Sequence, residues 1–328
     1  MIVPQFWAEA RVHRLRSKNQ KQITVLRFGW SDKNQEEAEQ MAQQRAQEAL
    51  QRIISGKIVL PRREPKIPYN GAEGVPIREE VLSRHGEIVI TRNSYGAHCL
   101  NTPDVLFADV DYEIEPRFRF VVMMFVFLLS IAVLCSVWLR SSTLVVVSAW
   151  IAFVLWYPLA VFWHKRVLSL RGGPERLAKT RVTAFVRRHP DWHLRIYQTP
   201  AGFRILVLHR TFKPDEPAVN DFFAALAVDP VYARMCRNQQ CFRARVSPKP
   251  WRMGLSRHMR PRPGVWPVKA EHLEVRNAWI RDYESAATRF ASCKFIEALG
   301  NSFTDPKAAK VRDLHDRMSQ ALSGREIA

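Results

Sequence analysis

Cysteine is scarce in this 328-residue chain: Cys99, Cys135, Cys236, Cys241 and Cys293 are five in all, scattered and odd in number. That excludes a disulfide-stapled scaffold and points to reduced thiols in a cytosolic setting. The short catalytic fingerprints are missing too. No G-x-x-x-x-G-K-[ST], G-x-S-x-G, H-E-x-x-H or dinucleotide glycine motif occurs, so P-loop, serine-hydrolase, zincin and Rossmann chemistry have no foothold. Cys236 and Cys241, with His258 downstream, lack a zinc-finger spacing and no second cysteine pair follows, so they read as ordinary thiols. There is no internal repeat. Acid is in short supply, with 31 Asp and Glu against 50 Lys and Arg, for a net charge of +19. Apolar residues are not lacking: at 47% they suffice for a core and exclude disorder for most of the chain.

The charge is uneven. Residues 1–116 hold 16 basic and 16 acidic side chains, 117–163 hold three Arg and no acid, and 164–328 hold 31 basic against 15 acidic. The excess therefore lies in the C-terminal half, which predicts a polyanionic partner: nucleic acid, nucleotide phosphates or an anionic membrane face.

Two uncharged runs dominate the centre. Phe120 to Leu139 is 20 residues, and Thr143 to Trp163 is 21, with Arg140, Ser141 and Ser142 between them. About 20 apolar residues cross a hydrocarbon core, so the pattern predicts a transmembrane helical hairpin. Arg117 and Arg119 precede the first run, Lys165, Arg166 and Arg171 follow the second, and the turn holds only Arg140. The positive-inside rule then puts both flanks, and both termini, on the cytoplasmic side of an inner membrane. Short loops, missing glycosylation sequons and reduced cysteines agree with that placement. The first residues lack a sustained apolar stretch, so no signal peptide is expected. Pro158 is a candidate kink.

Three parts follow: an N-terminal α+β part over 1–116, the hairpin over 117–166, and a basic C-terminal α+β part over 167–328 that packs with the first. Strands are predicted over 6–15 and 22–30, joined by a turn at 16–21. A helix over 35–54 is capped by Ser31 and Asp32 and stopped by Gly56. A Pro/Lys/Arg-rich connector covers 57–75. Strands at 87–92 and 105–112 flank an Asn93–Gly96 turn signal. Beyond the hairpin come a helix from Pro174, a strand pair at 194–198 and 203–210 around Thr199-Pro200-Ala201-Gly202, a helix near 220–227, a basic strand (CFRARV), and helices over 271–299 and 307–322. His209, at the strand's end, reads as a cross-strand partner.

Two places could carry chemistry. Asp109 and Asp111 lie two apart on a strand, hence on one side of it, where like charges want a cation or an Arg. Mg²⁺ or Mn²⁺ would suit oxygen ligands; two ordinary surface acids are the alternative. The stretch 230–270 holds ten cations and no acid, among them Arg234, Arg237, Arg243, Arg245, Lys249, Arg252, Arg257, Arg260 and Arg262, with Tyr232, Phe242, Trp251 and Trp266 interleaved. That mixture fits phosphate contacts with base stacking, or anionic headgroups.

In order, VLFADVD, a helix, YQTPAGFRI, a later Asp229 and FRARVSPKP resemble the catalytic core of archaeo-eukaryotic primases and primase-polymerases, over residues 87–252 with the hairpin removed. The resemblance implies an RRM-like α+β core with antiparallel or mixed sheet and packed helices. It implies that Asp109, Asp111 and Asp229 hold two divalent metals for nucleotidyl transfer. Arg204, near the place of a family His, and Arg243, Arg245 and Lys249 would then hold the triphosphate. Arg252, Arg257, Arg260, Arg262 and Trp251 would contact nucleic acid or lipid. The expectation is thus a membrane-anchored nucleotide- or nucleic-acid-binding protein with a degenerate metal site. The alternative is a non-enzymatic integral membrane protein whose basic domain binds anionic lipid, nucleic acid or a protein. A transporter fits least, because the runs carry no charge and no broken-helix pair.

Overall fold

The computed structural model describes residues 3–14, 23–55, 75–138, 142–262, 264 and 266–328. The expected turn at 16–21, the Gly56 stop, nearly all of the 57–75 connector and the break at Arg140–Ser141 lie outside the described residues. Residues 1–110 with 186–328 form one compact unit, and 111–185 form a second.

In the first unit, β1 (Phe6–Arg14) and β2 (Ile23–Ser31) pair antiparallel with Val12 opposite Val25. Helix α1 (Gln35–Ile54) packs on this ribbon through Ala38, Ala42, Ala46 and Ala49, which recur at helical spacing. Small side chains allow a close approach: a Cβ on Gly29 would lie 2.2 Å from the Ala38 carbonyl oxygen. The cap differs from expectation. Asn34, not Ser31 or Asp32, accepts from the Glu37 amide at 2.8 Å. The Ser31 hydroxyl instead donates to the Glu37 carboxylate.

Two antiparallel four-stranded sheets follow. The first runs β3 (Glu80–His85), β4 (Ile88–Arg92), β5 (His98–Thr102), β9 (Phe242–Arg245). The Asn93–Gly96 turn is present, with the Asn93 side chain accepting from the Tyr95 and Ala97 amides. The basic strand β9 lies on β5, Arg243 opposite Asn101 and Arg245 opposite Cys99.

The second sheet runs β10 (Lys294–Gly300), β7 (His193–Thr199), β8 (Gly202–Val207), β6 (Phe107–Asp111). The hairpin of β7 and β8 closes at Thr199–Gly202 as its sequence predicts, with Tyr197 opposite Arg204. Strand β10 corrects the helix expected over 271–299. Helix α7 (Leu273–Ala287) stops, and 294–300 pairs with β7. Its residues, KFIEALG, include good helix formers, but the open edge of β7 offers ladder bonds and tertiary pairing outweighs propensity. Helices α5 (Pro217–Leu226), α6 (Pro230–Gln239) and α8 (Pro306–Ser319) complete the unit. Trp192, stacked on Phe222 at 5.1 Å and touching Phe212 at the same distance, anchors part of the core.

The second unit holds α2 (Phe118–Trp138), α3 (Ser142–Leu170) and most of α4 (Gly173–Arg188). Helices α2 and α3 pack on each other, Phe125 meeting Trp156 edge-on at 5.4 Å. Both are long and apolar enough to cross a membrane: Phe118–Cys135 and Val146–Leu170 have mean hydropathies of 2.6 and 1.9. Helix α3 continues beyond Trp163 through Lys165 and Arg166, with Pro158 inside it. Just before α2, Glu113 accepts from Arg117 and from Arg181 of α4, each at 2.7 Å. Burial raises the Glu113 pKa, but the two guanidinium bonds outweigh it and hold the carboxyl below its usual value.

Candidate functional site

Asp109 lies on β6 and Arg204 on the adjacent β8. The Arg204 side chain is 2% exposed, that of Asp109 43%. Arg204 Nε donates to Asp109 Oδ1 at 2.8 Å and Nη2 to Oδ2 at 3.2 Å. Nη1 donates to the Arg245 carbonyl oxygen at 2.6 Å. One guanidinium thus forks onto both carboxylate oxygens and ties β8 to β9 of the other sheet. Burial lowers the Arg204 pKa, but the Asp109 carboxylate more than offsets it, so the side chain stays charged.

Arg243, on β9, is also paired with a carboxylate. Its Nη2 donates to both Glu79 oxygens, at 2.7 and 2.6 Å. Glu79, 3% exposed, also accepts from the Thr91 hydroxyl at 2.7 Å. Asn101 Nδ2 donates to Thr91 Oγ1 at 3.0 Å. The result is a buried ion pair in which both carboxylate oxygens are bonded, while Arg243 Nη1, also buried, has no hydrogen-bond partner among the described residues.

Asp229 caps α6, accepting from the Val231 amide at 2.8 Å, with Pro230 at the first helical position. Asp111 ends β6 and is exposed. Among the described residues, no three His, Cys, Asp or Glu side chains are grouped as a metal ion would need.

The basic stretch splits into an anchored part and an exposed part. Arg245 Nη1 donates to the Ser247 carbonyl at 2.8 Å. Met253 and Met259 are buried with Trp279 and Tyr283 of α7. Trp279 Nε1 donates to the Arg257 carbonyl, and Tyr283 Oη to that of Pro248, both at 2.8 Å. These contacts pin the segment while its cations stay outside. Arg257, Arg260 and Arg262 are exposed, and Arg252 ends a short 3₁₀ turn, Pro250–Arg252. Trp251 is 51% exposed, with its ring 5.2 Å from that of Tyr95 and Lys249 Nζ 5.4 Å from its centroid.

Sequence reasoning missed Glu79, Tyr232 as a tie, and a cysteine–histidine–aspartate line. Tyr232 Oη lies 3.1 and 3.0 Å from the carbonyl oxygens of Phe107 and Arg243, its one proton shared between them, and so links β6 to β9. Cys293, His315 and Asp316 lie in contact beneath the second sheet. Only the adjacent His-Asp pair in α8 hinted at this; Cys293 is 22 residues away. No protein-family model, curated protein or solved structure matches this chain.

Proposed function

We propose that this chain is an integral membrane protein, anchored by α2 and α3 as a hairpin with both flanks cytoplasmic, whose basic soluble part binds single-stranded nucleic acid through residues 249–262. The observation that carries the reading is Trp251. It is half-exposed and braced by Tyr95 and Lys249, in a segment that also exposes Arg257, Arg260 and Arg262. Exposed aromatics among cations are what base stacking with phosphate contact requires.

The membrane part rests on exposure. Only 11% of each apolar window is buried, and Met123, Leu134 and Phe153 are each more than 60% exposed. Apolar surface of that extent calls for lipid or a partner rather than water. The basic flanks, Arg117 and Arg119 before α2 and Lys165, Arg166 and Arg171 at the other end, support the orientation.

Asp109 acts as the charge partner of Arg204. A divalent metal on Asp109 would have to displace Arg204 and strand a buried guanidinium. Breaking a buried pair that way costs about 3–5 kcal/mol, less where one partner is half-exposed as here. A primase-like metal site is therefore the weaker reading.

The test uses the full chain in detergent with a fluorescent single-stranded oligonucleotide. Binding should weaken steeply as salt rises. The Arg257→Glu, Arg260→Glu, Arg262→Glu triple variant should lose it. Binding to phosphatidylglycerol vesicles with none to the oligonucleotide would move the partner to lipid. Manganese-dependent nucleotide binding lost in Asp109→Asn would restore the metal reading and overturn this one.

A further inference from the structure

Cys293, His315 and Asp316 form a line of hydrogen bonds under the second sheet, away from the basic stretch. Cys293 Sγ is 3.9 Å from His315 Nε2. His315 Nδ1 is 3.1 Å from Asp316 Oδ1. Asp316 Oδ2 accepts from Arg195 Nη2 of β7 at 2.7 Å. The imidazole is wedged between Tyr197 and Phe107, ring centroids at 4.7 and 5.4 Å. The tautomer is thereby set: Nδ1–H faces the carboxylate and Nε2 faces the sulfur, the orientation in which an imidazole takes a thiol proton. Ser319, 1% exposed, has a side-chain oxygen with no hydrogen-bond partner among the described residues. Its hydroxyl is the smallest of the influences that lower the Cys293 pKa.

The charges around the pair favour its ionised form. Burial raises the Cys293 pKa, but His315, Arg204 and the Ser319 hydroxyl together bring it below the usual thiol value. The His315 pKa is raised: burial and Arg204 oppose its charge, while Cys293 and Asp316 support it more strongly. Three other cysteines go the opposite way. Cys99, Cys236 and Cys241 are buried without such a partner, and desolvation pushes their pKa values up.

We propose that Cys293 is the site on this chain that small hydroperoxides modify, with His315 taking the thiol proton and passing it to the leaving oxygen and Asp316 as the positioning residue. Size dictates the reactant class. Cys293 and His315 are both 0% exposed, so nothing reaches the sulfur in the closed fold, and hydrogen peroxide, close to water in size, needs a far smaller opening than a peptide, ester or bulky disulfide. The Cys293 sulfur attacks one peroxide oxygen and an S–O bond forms as the O–O bond breaks. The leaving hydroxide takes the proton from His315 Nε2 and departs as water. Sulfur is oxidised to sulfenic acid, the peroxide is reduced, and the imidazole is left neutral. Local opening admits the oxidant. The segment around Cys293 is closed by the last residues of the sequence, through Ala291 N to Glu326 O and Ala328 N to Ala291 O at 2.8 and 2.9 Å.

The test is site-resolved. The full chain in detergent is exposed to hydrogen peroxide for a series of times and quenched into denaturant containing dimedone, and each cysteine's adduct is quantified by mass spectrometry. Cys293 should label at least tenfold faster than Cys99, Cys236 and Cys241. Its rate should fall less steeply from pH 8 to pH 6 than that of an ordinary thiol, which loses about tenfold per unit because only the thiolate reacts. His315→Gln should restore that ordinary slope, and Asp316→Asn should move it partway. Both variants must first show the parent's thermal unfolding. If they do not fold, the wild-type pH profile decides alone. Equal labelling of all the buried cysteines, or a tenfold-per-unit slope at Cys293, overturns the proposal.

Discussion

Arg204 and Asp109 face each other across β8 and β6, the guanidinium 2% exposed and the carboxylate half-open to solvent. The pair is asymmetric, so its two halves do not fail alike. Removing the carboxylate leaves a buried cation with only the Arg245 carbonyl. Removing the guanidinium leaves an acid that water can still reach. Asp109→Ala is therefore expected to destabilise by about 2 kcal/mol, below the range for fully buried pairs because Asp109 is partly solvated. Adding Arg204→Met should recover much of that loss, since apolar replacement of a buried pair is often neutral. Denaturant unfolding of the four proteins of the cycle gives the coupling; losses that simply add would show that the pair is not a unit.

That pair also marks where sequence reading works and where it stops. The D-x-D strand, the T-P-A-G hairpin turn and both apolar runs were legible because each is a local signal. The acid that neutralises Arg243 was not. Glu79 lies 164 residues away, and nothing in the pattern around either residue announces the other. Strand β10 was misread for a related reason. Its residues favour a helix, and only the vacant edge of β7 makes them a strand. The Cys293–His315 contact is likewise the product of packing α8 on the sheet.

Stacking and charge should separate experimentally at the basic stretch. Trp251→Ala removes a stacking face and no charge. Affinity for a single-stranded oligonucleotide should fall by roughly 1–3 kcal/mol, while the dependence on salt keeps its slope. Neutralising Arg257, Arg260 and Arg262 together to Gln, which weakens binding without reversing charge, should instead flatten the slope by about 2, at about 0.7 for each phosphate that is no longer neutralised. Fluorescence anisotropy over a salt series distinguishes them. A Trp251→Ala variant with unchanged affinity would place the bases elsewhere.

Topology has its own readout. Alkaline phosphatase, active only outside the cytoplasm, should be active when fused after Ser142 and inactive when fused after Ala328. Arg117→Glu with Arg119→Glu should weaken that orientation by removing cations from one inner flank. Activity at the C-terminal fusion would refute two spans with cytoplasmic flanks.

His209 gives a pH signature of known sign. Its ring lies 4.8 Å from Trp192, its Nδ1 accepts from the His193 amide at 3.3 Å, and burial first, then Arg210, lowers its pKa to about 4. An unfolded His titrates near 6.5, so between roughly pH 4 and 6.5 the unfolded chain binds more protons than the folded one. Stability attributable to His209 is thus complete above pH 6.5 and is lost as pH falls towards 4. His315 works in the opposite sense, because its pKa is raised in the fold and its contribution fades as pH rises through that value. The carboxylates lowered in the fold, such as Glu113 and Asp316, matter only below about pH 4.5. The interval between pH 5 and 6.5 therefore isolates His209 against His315. Thermal midpoints of wild type and His209→Gln, which keeps an acceptor for the His193 amide, should converge as pH drops from 6.5 to 5. Parallel curves across that interval would mean that His209 does not govern the response.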